Sequence, residues 1–368
     1  MHYITDAIAA SRLARLTTHL LQPHHIIRTA ITTSRAMSSP SAAAAPWRSL
    51  FLSHIESMDS PEFTLSTLRR ASAGGARGRR PSVLATPLYF PRARTCIFRG
   101  LFANMDVNPK NDAPLNPEGV LESDLLTFTT DARMDKMEEL WEDGIDLELR
   151  SGRDPKSPTT DKVGEELWEE GLARLKGKKT EAPVKSTEEK LKGSGGGAPV
   201  EAMFWAPKPA VQWRVRGRAY VLAPDIESSS EGREVMTLLK SRMRKPPHNT
   251  DKKGEEEKKE WSFAREITAH FGNLSPIMRG SFRNPPPGRP VAASPVEPGG
   301  EGLKLGQKVT DLEDPVARAN FRVVVIVPDE IDQADLSDPE HGRRWLHTYV
   351  GAGHGKGHGE WETTEVWP

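Results

Sequence analysis

A single cysteine in 368 residues, Cys96, excludes an intramolecular disulfide framework and a cysteine-based zinc site, and it fits a reducing compartment. Aromatic residues make up only 7% of the chain, and Lys plus Arg equal Asp plus Glu at 51 each, so there is no net charge. Few stacking platforms and no global basic field argue against a nucleic-acid binder. No apolar run is long enough for a membrane span, so the chain reads as soluble, with neither nucleic acid nor membrane as partner. Hydrophobic residues reach just 36%, with 30 Gly and 30 Pro, which leaves part of the length outside any core.

What the sequence does have is one strongly patterned stretch, Val211 to Val221. With a period of two, Val211, Trp213, Val215, Gly217, Ala219 and Val221 share one face of a strand, and Gln212, Arg214, Arg216 and Arg218 share the other. The first face suits a core. On the second, mutual repulsion is costly unless an anionic ligand or carboxylates neutralise it. That strand is expected to anchor a phosphate-bearing cofactor.

The first 45 residues carry Arg12, Arg15, Arg28 and Arg35 against one acid, Asp6. Two readings stay open: a mitochondrial presequence, or a gene-model extension ahead of a start at Met37. The spacing of Trp47, Leu50, Phe51, Ile55 and Met58 predicts a helix, and Phe63 to Leu68 a strand. Strands follow at Arg94 to Gly100 and Leu125 to Thr130, the second running into Thr129, Thr130 and Asp131 and then a helix with Arg133 and Lys136 at its start. Hydroxyls, amides and cations so close together can hold a phosphate; the other reading is an N-cap by Asp131 with solvated Arg133 and Lys136.

Residues 141–200 and 245–260 are charged inserts, the first ending in Gly193-Ser194-Gly195-Gly196-Gly197 and containing a Leu-Trp-Glu segment near 140 that is echoed near 167. Val200 to Pro207 and Val211 to Ala223 predict a hairpin, and Phe321 to Val327, the most apolar strand, a central position. Helices are expected over 231–244 and 261–271, an extended elbow over 281–288 and a last strand at Arg343 to Tyr349. His347, His354 and His358 sit in or near a Gly-rich tail too flexible to preorganise a metal site, and no metal is expected.

Three motifs in this order resemble the FMN-binding split-barrel proteins of the pyridoxamine 5′-phosphate oxidase superfamily. Arg94 to Gly100 is similar to that family's strand opening with Arg and closing with Arg-Gly. Phe128-Thr129-Thr130-Asp131 with Lys136 is similar to its Phe-x-Thr-Asp turn ending in lysine, and the stretch from Gln212 through Arg214 to Gly217 to its Arg-Gln-x-Arg-x-x-Gly strand. The resemblance implies a mostly β fold with flanking helices, an FMN-binding split β-barrel, with a disordered N-terminal extension and the two charged inserts. The domain would span 46–350, with a flexible tail at 351–368.

It also implies FMN as cofactor and a homodimer. Arg94, Thr130, Arg133 and Lys136, with Thr129, would grip the phosphate; the backbone of Thr95, Cys96 and Ile97, with Arg99, would lie near the ring; Gln212 and Arg214 would contribute from the hairpin strand. Arg94 and Arg99 are five apart, so an ideal strand points them to opposite faces and a bulge, a twist or a partner subunit must reconcile them. Three positions depart from the pattern. Met134 replaces a serine, Leu238 stands where the substrate-clamping tyrosine is expected, and Arg344-Trp345-Leu346-His347 is one residue out of step with Arg-Leu-His. Arg242, Arg344 and His347 remain the substrate-site candidates. The expected activity is therefore that of an FMN-dependent oxidoreductase with a divergent substrate site, against a genuine pyridoxamine 5′-phosphate oxidase or a non-catalytic flavin-binding protein. The expected compartment is the cytoplasm, or the mitochondrion if residues 1–36 are a presequence.

Overall fold

Helix α1 (Arg48–Glu56) forms where Phe51 and Ile55 stand one turn apart, so both enter the same core, and Trp47 at its N-terminal end is buried beside them. The computed structural model describes residues 44–70, 89–141, 191–246, 260–291, 304–351 and 360–368. The N-terminal extension, most of both inserts, the second Leu-Trp-Glu copy, His354 and His358 lie outside the described residues.

The strands are β1 (Glu62–Arg70), β2 (Tyr89–Leu101), β3 (Glu122–Ser123), β4 (Leu126–Asp131), β5 (Gly195–Ala206), β6 (Val211–Leu222), β7 (Met243–Arg244), β8 (Phe321–Asp335), β9 (Arg343–Tyr349) and β10 (Trp361–Val366). Helices α2 (Lys136–Glu139), α3 (Ser230–Ser241), α4 (Phe263–Gly272), α5 (Pro276–Gly280) and α6 (Pro315–Asn320) lie between them. The main sheet runs β10-β9-β8-β4-β2-β1-β5-β6, and a further β6–β8 pairing closes six of its strands into a ring. Strand β8 makes that closure. Its first part, Phe321 to Ile326, pairs with β4, its last part, Glu330 to Asp335, pairs with β9, and β6 runs along the opposite edge. The fold is thus mostly β with flanking helices, as expected.

Alternation separates two cores. Phe63, Leu65, Cys96, Phe98, Phe128, Phe204 and Trp213 fill the ring, joined by Val324 and Ile326 of β8. Val323, Val325 and Val327 point the other way, onto Val235 and Leu239 of α3 and Phe263, Ile267 and Phe271 of α4. A strand buried on both faces reads as one apolar run, which is why β8 stands out in the sequence. Outside the ring, Asp124 ties the N-terminal helix to β7: it accepts from Ala45 N at 3.0 Å, Arg48 at 2.8 Å and both ends of the Arg244 fork at 2.5 and 2.9 Å. Burial opposes its ionisation, but the two arginines and the Ala45 N–H overcome this and hold its pKa below the usual carboxylate range.

Four expectations are corrected. Trp361–Val366, placed in a flexible tail, forms β10, because its backbone pairs with β9 along its whole length. Gly195 to Val200, placed in an insert, opens β5. The helix after β4 starts at Lys136, and Asp131 does not cap it but accepts from the backbone and side chain of Arg133. The elbow at Ser281–Arg283 is a 3-10 turn before Asn284 becomes extended. Among the described residues no helix is long and apolar enough to cross a membrane.

Candidate functional site

The inward faces of β1 and β2 change character along their length. Phe63 and Leu65 sit beside Cys96 and Phe98, whereas Thr67 and Arg69, paired with Arg92 and Phe90, carry the same face on into polar side chains. Helix α2 lays its buried Glu139 over that polar end. The Glu139 carboxylate accepts from Thr67 Oγ1 at 2.5 Å and from Arg94, whose other terminal nitrogen donates to Thr67. Arg92 and Arg69 approach the second carboxylate oxygen at 3.8 and 4.0 Å.

Lys136, one helical turn before Glu139, completes the cluster. Its ammonium donates to Thr130 Oγ1 at 3.1 Å and lies 3.1 Å from Met134 Sδ, and it forms no ion pair among the described residues. Burial lowers its pKa, and Arg94 adds to this against the pull of Cys96, Asp131 and Glu139. Burial raises the Cys96 thiol, with Lys136 and Arg94 drawing it back. Arg94, Thr130 and Lys136 therefore come together with the Cys96 thiol, and Met134 brings a weak sulfur acceptor to the ammonium.

The remaining expected residues lie elsewhere. Arg133 is held by Asp131 through two hydrogen bonds, of 2.9 and 2.6 Å, and donates to the carbonyls of Asn284 and Phe282. Thr129 alternates with Thr130 and pairs with Val323, on the outer face. The one-residue bulge lies between Phe98 and Leu101, beyond Arg94, so it does not bring Arg94 and Arg99 to one face. Arg99 turns outward toward α4, its Nε buried without a partner. Burial lowers its pKa, and burial together with Arg99 pushes His270 down to about 4.

Strand register assembles a second group on the outer face. Thr95, Thr64, Met203, Arg214 and Asp332 form one cross-strand row, and Ile97 and Gln212 flank it with the exposed Trp205. Two of the β6 arginines are met by carboxylates here, Arg214 by Asp332 and Arg216 by Glu201 at 3.0 Å and Glu330 at 2.9 Å, while Arg218 donates to the Gly197 carbonyl at 2.7 Å. Of the two ways to neutralise that face, the chain uses its own acids at Arg214 and Arg216.

The substrate candidates do not converge either. Arg344 is bound to Asp332 at 2.9 and 2.8 Å, while His347, three residues on, faces the other side of β9. His347 is buried against Thr363 Oγ1 at 2.9 Å, and desolvation pushes it down to about 4. Arg242 stacks 3.3 Å from the centre of the Tyr349 ring and donates to the Pro328 carbonyl. A cavity of about 340 Å³, lined in part by Asn116, Trp261 and Glu266, shares no residue with the Lys136 cluster.

Sequence reasoning missed Glu139, Thr67, Arg69 and Arg92. The signals were there: a carboxylate three residues after Lys136 on a helix, and a strand whose inward positions turn from apolar to polar.

Residues 44–151 match the family model described as pyridoxamine 5′-phosphate oxidase, FMN-binding domain. No curated protein matches the chain. Similar solved structures include a pyridoxamine 5′-phosphate oxidase-related, FMN binding protein from Nostoc punctiforme, at 16% identity and a TM-score of 0.43, covering 89% of this chain and 100% of that one. Another is PhzG from Burkholderia lata in complex with tetrahydrophenazine-1-carboxylic acid, at 12% identity and a TM-score of 0.32, covering 87% and 90%. Arg94, Thr130 and Lys136 all lie inside the segment that matches the FMN-binding domain model.

Proposed function

We propose that the chain is an FMN-dependent oxidoreductase related to pyridoxamine 5′-phosphate oxidase, with a divergent substrate site. One observation carries this reading: the half-buried Lys136 ammonium, on Thr130 and beside Arg94, has no carboxylate of its own. A desolvated cation with no carboxylate in direct contact is costly, and a phosphate monoester offers that contact with oxygens to accept from lysine, arginine and hydroxyl alike. The donor set fits the phosphate of FMN. Lys136, Arg94 and Thr130 would hold that phosphate. The backbone of Thr95, Cys96 and Ile97, next to Arg94 on the same strand, would line the rest of the cofactor, while Arg133 and Arg214 serve mainly to brace the structure. Bound FMN would supply the redox chemistry, and the protein would orient and tune it.

The uncovered outer face, with Ile97, Met203 and Trp205, supports a homodimer in which a second copy covers it. The divergent substrate site rests on Arg344 being neutralised by Asp332 and on His347 facing away from it. A non-catalytic flavin-binding role is the second reading, favoured because His270 and His347 are both buried. An absorption spectrum of the purified protein tests the first step, since a colourless protein that takes up no added FMN would end the proposal. Peroxide release with pyridoxamine 5′-phosphate then separates a genuine oxidase, which turns over, from the divergent enzyme, which does not. Reduction of the bound flavin by a nicotinamide or another small molecule separates the divergent enzyme from the non-catalytic protein.

A further inference from the structure

Glu139 is a buried carboxylate to which the FMN reading gives no task. Its Oε2 accepts from Thr67 and Arg94, but its Oε1 has no hydrogen-bond partner, and Arg92 and Arg69 stand off from it at 3.8 and 4.0 Å. Arg69 is shared with Asp135 and Glu138, both largely exposed, whereas Arg94 has Glu139 as its only carboxylate partner among the described residues. Lys136 has none. One monoanion with an idle oxygen is thus surrounded by Arg69, Arg92, Arg94 and Lys136 and a threonine hydroxyl. A phosphate monoester carries close to two charges and three acceptor oxygens, and it matches such a surround better.

We propose that Glu139 is an internal stand-in for the cofactor phosphate: it fills the arginine slot in the free protein and gives it up when FMN binds, and so sets the selectivity for phosphorylated over unphosphorylated flavin. This rests on the FMN reading. The alternative is a fixed counter-ion that only orients Arg94. The two differ in sign. A stand-in competes with the ligand, so neutralising it tightens binding; a fixed counter-ion supports the site, so neutralising it weakens binding.

The test uses the full chain freed of flavin and titrated with FMN, riboflavin and inorganic phosphate, following flavin fluorescence and Tm. Glu139→Gln should bind FMN about tenfold more tightly than the wild type and riboflavin no differently, and phosphate should raise its Tm more than the wild type's. Glu139→Asp keeps the charge for folding but withdraws the carboxylate by one methylene, and it should gain affinity in the same direction by a smaller factor. FMN binding unchanged or weaker in both variants would overturn the inference while leaving the FMN reading intact, as would an equal gain for riboflavin. Failure of wild type and variants alike to bind FMN would remove the FMN reading itself.

Discussion

The ammonium of Lys136 rests on the Thr130 hydroxyl at 3.1 Å, the end of a helix meeting the end of a strand, with no acid paired to it among the described residues. Such a cation contributes little to the fold and much to an anionic ligand. Lys136→Ala should therefore weaken FMN binding by about 10- to 100-fold, the worth of one charge-assisted hydrogen bond, and leave Tm within a few degrees. Arg133→Ala should do the reverse, since that side chain ties Asp131 to the Phe282 and Asn284 carbonyls. Flavin fluorescence titration and thermal unfolding of both variants check the contrast; a Lys136→Ala protein that holds FMN as tightly as the wild type would show the phosphate lies elsewhere.

Gly217 lies on β6 among its inward apolar positions, and the structure gives it a packing role. A Cβ there would stand 2.0 Å from the Val327 carbonyl oxygen and 2.9 Å from the Pro328 Cα, both backbone atoms of the strand that closes the ring. Neither can swing aside as a side chain could. Gly217→Ala should cost about 3 kcal/mol or more, read as a lowered denaturation midpoint in the flavin-free protein.

Acid should weaken the fold through His270. Its ordinary pKa of 6.5 falls to about 4 inside the protein, through burial and the nearby Arg99. The unfolded chain thus takes up the proton first, and stability present above pH 6.5 is lost as pH falls toward 4, by about 3 kcal/mol. Glu266, raised by burial, works in the opposite sense, so the informative quantity is the difference between wild type and His270→Gln. That variant should show a flatter decline of Tm between pH 7 and 4.5; parallel curves would show that His270 is not the group responsible.

Asp124 acts lower on the pH scale. Its pKa is held below 3.8, so its contribution is complete above that value and is lost as pH drops through the folded pKa. Asp124→Asn leaves Arg244 and Arg48 without their buried counter-charge and should cost about 3–5 kcal/mol at neutral pH. Urea unfolding at pH 7 and pH 3 checks it, since the penalty should shrink at the lower pH.

Elements whose signal is local were legible in the sequence. The alternation of β6, the apolar run of β8 and the Phe51–Ile55 spacing of α1 each follow from which faces are buried. The convergence of Thr130, Lys136 and Arg94 was legible through family-like motifs, although the reason Lys136 stands out, its missing acid, is a three-dimensional fact. What stayed hidden were the acids that decide where the arginines point. Glu139 is 45 residues from Arg94, and Asp332 is 118 from Arg214, so no window of sequence holds both members of either pair. Strand β10 was missed for a different reason. Among the described residues it pairs only with β9, and its exposed Glu and Thr side chains lack the hydrophobic period by which a half-buried strand is recognised.

The closing strand also sets a schedule for biosynthesis. Of the six strands in the ring, the matched segment holds β1, β2 and β4, while β5, β6 and β8 come later, and the circle is complete only once Asp335 has been made. Until then the growing polypeptide bears unpaired edges at β4 and β6, the kind of surface on which chains stick to one another. A fragment ending at residue 151 would keep Arg94, Thr130 and Lys136 but only three of the six ring strands around them, so the ribosome must deliver the chain through Asp335 before that cluster has its floor.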